Sequence, residues 1–180
     1  MRLGNNLIPD QSTKQRGFTI VELLIVIVII GILAAITIVA YNGIQDRARN
    51  TKIKSDLSEI QQAITAARLV KGSSLYDIYP VAGPEGGCLA ESAGTDLSAL
   101  PKTDSCWTAY LGFLNAVSDA SGVNIRGLVD PWGRPYYVNP NEDEPAPNHE
   151  CMNDQIGTYS QPFAATTANV VLIPLFKTSC

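Results

Sequence analysis

The residue that sits most awkwardly among its neighbours is an acid. Glu22 is the only charged side chain between Gly17 and Tyr41, a stretch that reads GFTIVELLIVIVIIGILAAITIVAY. An ionised carboxylate at the centre of a bilayer costs roughly 2.5 to 3.5 kcal/mol on insertion scales. Four residues past Phe18, however, it lies only about 6 Å into a helix, close enough to reach the interface. Glu22 therefore either reaches back to water, or meets a positive group once the segment packs against copies of itself.

Cysteines and a run of acids are the other groups with chemistry to offer. Cys88, Cys106, Cys151 and Cys180 all follow the apolar stretch, and on the exported side of a membrane they would persist as disulfides. Four cysteines allow three pairings. Joining nearest neighbours, Cys88 to Cys106 and Cys151 to Cys180, closes loops of about 18 and about 29 residues, each stabilising by roughly 3 to 4 kcal/mol in the loop-entropy account. A zinc site that recruits His149 would lack any Cys-x-x-Cys spacing. Asn141, Glu142, Asp143 and Glu144, with Asp154 further on, offer oxygens to a hard cation such as calcium. Pro145, Ala146 and Pro147 follow them, and a solvated acidic loop is the expectation, with no cofactor. His149 is the only histidine, between Asn148 and Glu150. No Gly-x-Ser-x-Gly, phosphate loop or paired-acid helix accompanies it. An enzyme is not expected.

The elements that must position these groups begin with the apolar stretch itself. As a helix, Phe18 to Tyr41 is about 36 Å long against a hydrocarbon core of about 30 Å. Its many β-branched residues would suit a strand, but strands do not run this long. Residues 1–17 are polar, carry Gly4, Pro9 and Asp10, and read as a leader outside the fold. Lys14 and Arg16 stand against the apolar run and favour a cytosolic amino end. A secretory signal peptide would have a shorter apolar core without an acid, ending at a site such as Ala40. Gly31 and Gly43 each cost about 1 kcal/mol against Ala and mark places where the helix could bend.

Beyond Asn42, Ile53, Leu57, Ile60, Ile64 and Ala67 recur at steps of four and three, the signature of one buried helical face. Lys54, Asp56, Glu59, Gln62 and Arg68 are expected mainly off that face, and Gly72 after Lys71 ends the helix. Arg47, Arg49, Lys52 and Lys54 form a basic collar, expected to face lipid headgroups or solvent. Ser73 to Asp104 reads as loop. Trp107, Tyr110, Leu111, Leu114 and Val117 predict a second helix with an aromatic core face. Asp130, Pro131, Trp132 and Gly133 carry the residues of a type I turn, with a strand starting at Tyr136 to Val138. Further strands are predicted at Thr158 to Gln161 and at Asn169 to Phe176; the last is apolar enough to be central, although Pro174 pushes it towards an edge. With 180 residues, 46% hydrophobic and 17% charged, the chain has room for one membrane helix and one modest domain. A net charge of -4, more acidic once Arg2, Lys14 and Arg16 leave with Asp10, disfavours nucleic acid as a partner.

Lys14, Arg16, Gly17, Phe18, Thr19 and Glu22 ahead of the unbroken apolar run resemble the class III signal of type IV pilins and type II secretion pseudopilins. Asp130-Pro131-Trp132-Gly133 followed by Pro135-Tyr136 is similar to the major pseudopilin. The resemblance implies an α+β, pilin-like fold: residues 18–41 as transmembrane and filament-core helix, 42–71 as its amphipathic half, and 72–180 as an exported domain with a small antiparallel sheet and two disulfides. It implies a prepilin peptidase cut between Gly17 and Phe18, N-methylation of Phe18, and pairing of Glu22 with the Phe18 amine of a neighbour. It also implies homo-oligomers in a helical filament with minor pilins, an assembly platform and its ATPase. The subunit would start in the cytoplasmic (inner) membrane as a single-pass protein and end in an extracellular or periplasmic filament. In pseudopilins a later loop binds calcium, which is why Glu142, Asp143 and Glu144 are candidates, and a final cysteine such as Cys180 resembles the disulfide-bounded loop of many pilins. A secretion pseudopilin is one alternative, and a membrane-anchored adhesion domain that never polymerises is another.

Overall fold

Helix α1 runs Ile20–Lys71, 52 residues without interruption, in a computed structural model that describes residues 17–80, 88–143, 152–160, 163 and 166–176, with only the backbone of 38–42. The expected leader up to Arg16, Glu144, His149, Cys151 and Cys180 lie outside the described residues. Gly31 and Gly43 both fall within the continuous helix. The chain divides into two compact units, residues up to Gln45 and residues from Asp46 onward.

In the first unit, Ile20–Thr37 has a mean hydropathy of 3.0 and none of it is buried. Such a segment is long and apolar enough to cross a membrane.

In the second unit the predicted helical face is buried: Ile53, Leu57, Ile60, Ala63, Ile64 and Ala67 are all at most 4% exposed. Two charged residues share that face. Asp56 and Arg68, expected off it, are 7% and 3% exposed. Asp56 lies three residues after Ile53 and Arg68 four after Ile64, so helical geometry places them beside the stripe as readily as an apolar residue. Gly72 closes α1, its N–H donating to Arg68 O at 2.7 Å.

Within the predicted loop after α1 lies a short helix, α2 (Leu75–Ile78), capped by the Ser74 hydroxyl. Helix α3 (Ser105–Ser121) follows, with Asp104 as its N-cap accepting from the Cys106 N–H. Its buried face holds Trp107, Tyr110, Phe113, Leu114 and Val117, which pack into one cluster with the α1 face, Tyr136, Val138, Ile156 and Ile173. The aromatic stripe is core. Cys88 and Cys106 are joined by a disulfide, and Trp107 Nε1 donates to Leu97 O at 2.9 Å, so the intervening loop is held at both its ends and its middle.

The sheet is antiparallel, in the order β1 (Tyr137–Asn139), β2 (Asp154–Tyr159), β3 (Thr167–Ile173). Strand β2 starts four residues before the predicted Thr158 because Asp154 to Gly157 pair with β1 and β3. Strand β3 is an edge: Val170 and Leu172 are exposed, and Pro174, which has no N–H to give, follows its last residue. Gly157 sits opposite Tyr137 at an irregularity in the β2–β3 ladder, where a Cβ would come within 2.9 Å of Ala168 O. Only glycine fits that approach.

Candidate functional site

At the start of α1 the chain ties a reciprocal knot. The Thr19 N–H and hydroxyl both donate to Glu22 Oε2 at 2.8 Å, and the Glu22 N–H donates back to Thr19 Oγ1 at 3.2 Å. This is a capping box, in which the first residue and the third helical residue satisfy donors that a helix end leaves open. Its Ser/Thr-x-x-Glu spacing is readable in Thr19-Ile20-Val21-Glu22, a role for Glu22 that the lipid argument overlooks. Gly17 and Phe18 precede the helix, and Phe18 is 87% exposed. The Gly17–Phe18 bond lies outside the helix. Lys14 and Arg16 are outside the described residues.

The predicted turn forms with a fifth residue. Gly133 N–H closes it on Asp130 O at 2.9 Å, and a φ of 78° at Gly133 is a conformation most side chains resist. The Asp130 carboxylate is its hub: Oδ1 accepts from the N–H groups of Trp132 and Arg134 at 2.9 Å each, and Oδ2 from Arg134 Nε at 2.7 Å. Arg134 is as buried as its partner, with 3% and 1% of the side chains exposed. Sequence reasoning missed Arg134, although an Asp-to-Arg spacing of four was visible. Trp132 remains 45% exposed, with the guanidinium groups of Arg134 and Arg49 at 4.8 and 5.5 Å from its ring centroid.

The basic collar is partly turned inward. Lys52 Nζ donates to the Asp56 carboxylate and, at 2.9 Å, to Val129 O, while Arg49 pairs with Asp46 at 3.5 Å. Tyr136 donates its hydroxyl to Asp56 Oδ2 at 2.6 Å. Burial first, and that hydrogen bond second, push the Tyr136 hydroxyl well above its ordinary pKa of 10.0. Asp56 is thus a buried acceptor shared by Lys52 of α1 and Tyr136, the residue before β1, while Lys52 itself makes the link to the loop before the turn.

The described part of the acidic stretch, Asn141 to Asp143, is not the solvated loop expected. Asn141 is 3% exposed and Glu142 0%. Arg68 reaches Glu142 at 3.5 Å and makes a direct ion pair with Asp154, whose side chain is also fully buried. Phe176 N–H donates to both Glu142 oxygens at 3.0 and 2.9 Å, and Glu142 N–H donates to Asp154 Oδ1 at 2.9 Å. Burial lowers the Arg68 pKa from its ordinary value, with Glu142 opposing the shift. Asp143 is half-buried. Among the described residues no three His, Cys, Asp or Glu side chains gather as metal ligands do, and calcium takes six to eight oxygens. The acids here fit a guanidinium better than a hard divalent ion.

Residues 12–38 match the prokaryotic N-terminal methylation motif. Over 132 residues the chain is 32% identical to the type II secretion system core protein G of Escherichia coli strain K12, covering 73% of this chain and 77% of that one. The chain belongs to the type IV pilin and pseudopilin family. A second relative of this pilin-family subunit is the type II secretion system core protein G of Klebsiella pneumoniae, 38% identical over 130 residues, 69% of this chain and 74% of the other. A third is the type IV major alpha-pilin of Moraxella bovis, 36% identical over 93 residues, 50% of this chain and 55% of that pilin. No solved structure matches the chain. The expected α+β fold is the observed one: an apolar amino-terminal helix, further helices and a three-stranded antiparallel sheet. In a family of structural subunits, that apolar helix marks a membrane-anchored one.

Proposed function

We propose that this subunit is made as a prepilin, cut between Gly17 and Phe18, methylated on the Phe18 amine, and polymerised through α1 into a filament. The observation that carries the reading is the wholly uncovered apolar segment Ile20–Thr37 with an acid at its head, inside a methylation motif. Apolar side chains are nearly as well off in lipid as in a helix bundle, so hydrophobicity alone does not draw the segment out of the membrane. A carboxylate meeting an ammonium does favour the polymer: at about 4 Å and an effective dielectric near 20, the attraction is on the order of 4 kcal/mol before desolvation is subtracted. Both Thr19 donors fall on Glu22 Oε2, which leaves Oε1 for the Phe18 ammonium of a neighbouring copy. A cytosolic ATPase and a platform protein would supply the remaining work, and minor pilins would start or end the filament.

The processed amino terminus tests this directly. Mass spectrometry of filament material should show a chain beginning at Phe18 and carrying one added methyl group. An intact leader in assembled material would defeat the proposal.

A pseudopilin of type II secretion is the second reading. Two core protein G relatives align with 73% and 69% of this chain, against 50% for the Moraxella pilin. Deleting the gene should then trap exported enzymes in the periplasm and leave surface fimbriae unchanged. In either machine the subunit is structural, and it sits in the inner membrane with its amino end cytosolic before assembly.

A further inference from the structure

The cluster of Arg68, Glu142 and Asp154 has no part in the assembly reading, yet four separate segments converge on it. Arg68 comes from α1, Glu142 from the loop after β1, Asp154 from the first residue of β2, and Pro174 and Phe176 from the chain beyond β3. Two carboxylates with no exposed surface need a buried positive charge, because an uncompensated buried ion is among the costliest defects a fold can carry. The guanidinium supplies one positive charge for the two acids, and N–H donors from Phe176 and Glu142 stabilise what it leaves. One terminal nitrogen, Nη2, faces both acids, and the other, Nη1, donates to Pro174 O at 2.8 Å.

We propose that Arg68 is the resident cation of this pocket, holding the carboxyl-terminal segment to α1 by an internal guanidinium in place of a divalent metal ion. The remaining acid oxygens are already committed to N–H donors, those of Phe176 on Glu142 and of Glu142 on Asp154. A metal entering there would face the positive ends of those bonds as well as the guanidinium. Loss of Arg68 reverses the balance. The two carboxylates and Pro174 O then become oxygens around a space that lacks a cation, hard donors of the kind calcium takes.

Thermal unfolding of the full chain in detergent, with EGTA or with millimolar calcium chloride, tests this independently of any filament. The wild-type midpoint should agree in the two buffers to within about 1 °C, well below the shift that one kcal/mol produces. Arg68→Gln should unfold roughly 10 °C lower in EGTA, as expected for breaking a buried ion pair, and calcium should restore a large part of that loss. Adding Glu142→Gln to Arg68→Gln should abolish the calcium response. EGTA lowering the wild-type midpoint by several degrees would overturn the proposal, as would an Arg68→Gln protein indifferent to calcium. If Arg68→Gln does not accumulate, Asp154→Asn serves instead: it keeps the guanidinium, so its midpoint should fall yet stay the same in both buffers, and a calcium-dependent midpoint there refutes the assignment.

Discussion

Glu22 carries two duties that one substitution cannot separate. Alanine removes the charge and also the box that starts α1, a capping loss of about 0.5 to 2 kcal/mol. Glutamine keeps the box, since its amide oxygen accepts from Thr19 as the carboxylate does. Both variants should insert into membranes and be processed, and both should lower filament yield about tenfold or more, equivalent to about 1.4 kcal/mol per contact. Wild-type yield from Glu22→Gln would assign the assembly defect of Glu22→Ala to helix fraying. At this scale the sequence was only half legible. An acid in an apolar run is conspicuous, but its bond to Thr19 needed the capping pattern to be sought. Arg134 and Arg68 were harder still, because a charged residue beside an apolar stripe looks the same whether it faces water or a buried partner.

The elements were more readable, for a physical reason. Ile53, Leu57, Ile60, Ile64 and Ala67 announce their face because every step between them lies within one helix. Asp130 to Gly133 specify a turn from four adjacent residues. By contrast, Asp56 meets Tyr136 across 80 residues and Arg68 meets Asp154 across 86, and no local period encodes such a meeting. Strand β3 was legible only in part: NVVLIPLF looks central by composition, Pro174 argues for an edge, and among the described strands the β1–β2–β3 order places it at the rim. Two measurements probe these elements. Gly157→Ala should cost about 1 to 3 kcal/mol by denaturant unfolding, because the new methyl meets the backbone oxygen of Ala168 rather than a side chain that could move. The Tyr136 hydroxyl, whose pKa the fold raises, stays protonated in the folded chain after its unfolded counterpart has ionised. Its contribution is therefore complete below about pH 10 and is lost as pH rises beyond that. Tyr136→Phe should show a shallower alkaline decline relative to its own neutral value; Tyr110, also raised by burial, should preserve part of the slope.

Taken as a whole, the molecule is a folded α+β segment joined to a stretch that water does not accommodate. Every described side chain of Ile20–Thr37 lies uncovered, so the processed chain should remain in carbonate-washed membranes when the assembly machinery is absent. With the machinery present it should move to the sheared surface or periplasmic polymer fraction. A soluble processed monomer in either strain would contradict both the anchor and the polymer.

The rim strand has its own consequence for crowded surroundings. An unpaired ladder of N–H and C=O groups invites another chain to add a strand, the first step of cross-β aggregation. On β3 that invitation is brief: the irregularity near Gly157 twists one part of it, Asn169 turns to a φ of 51°, and Pro174 ends it. Densely packed copies are thereby discouraged from zipping through their sheets, and under the proposed assembly the greasy helix would be left as the surface by which they recognise one another.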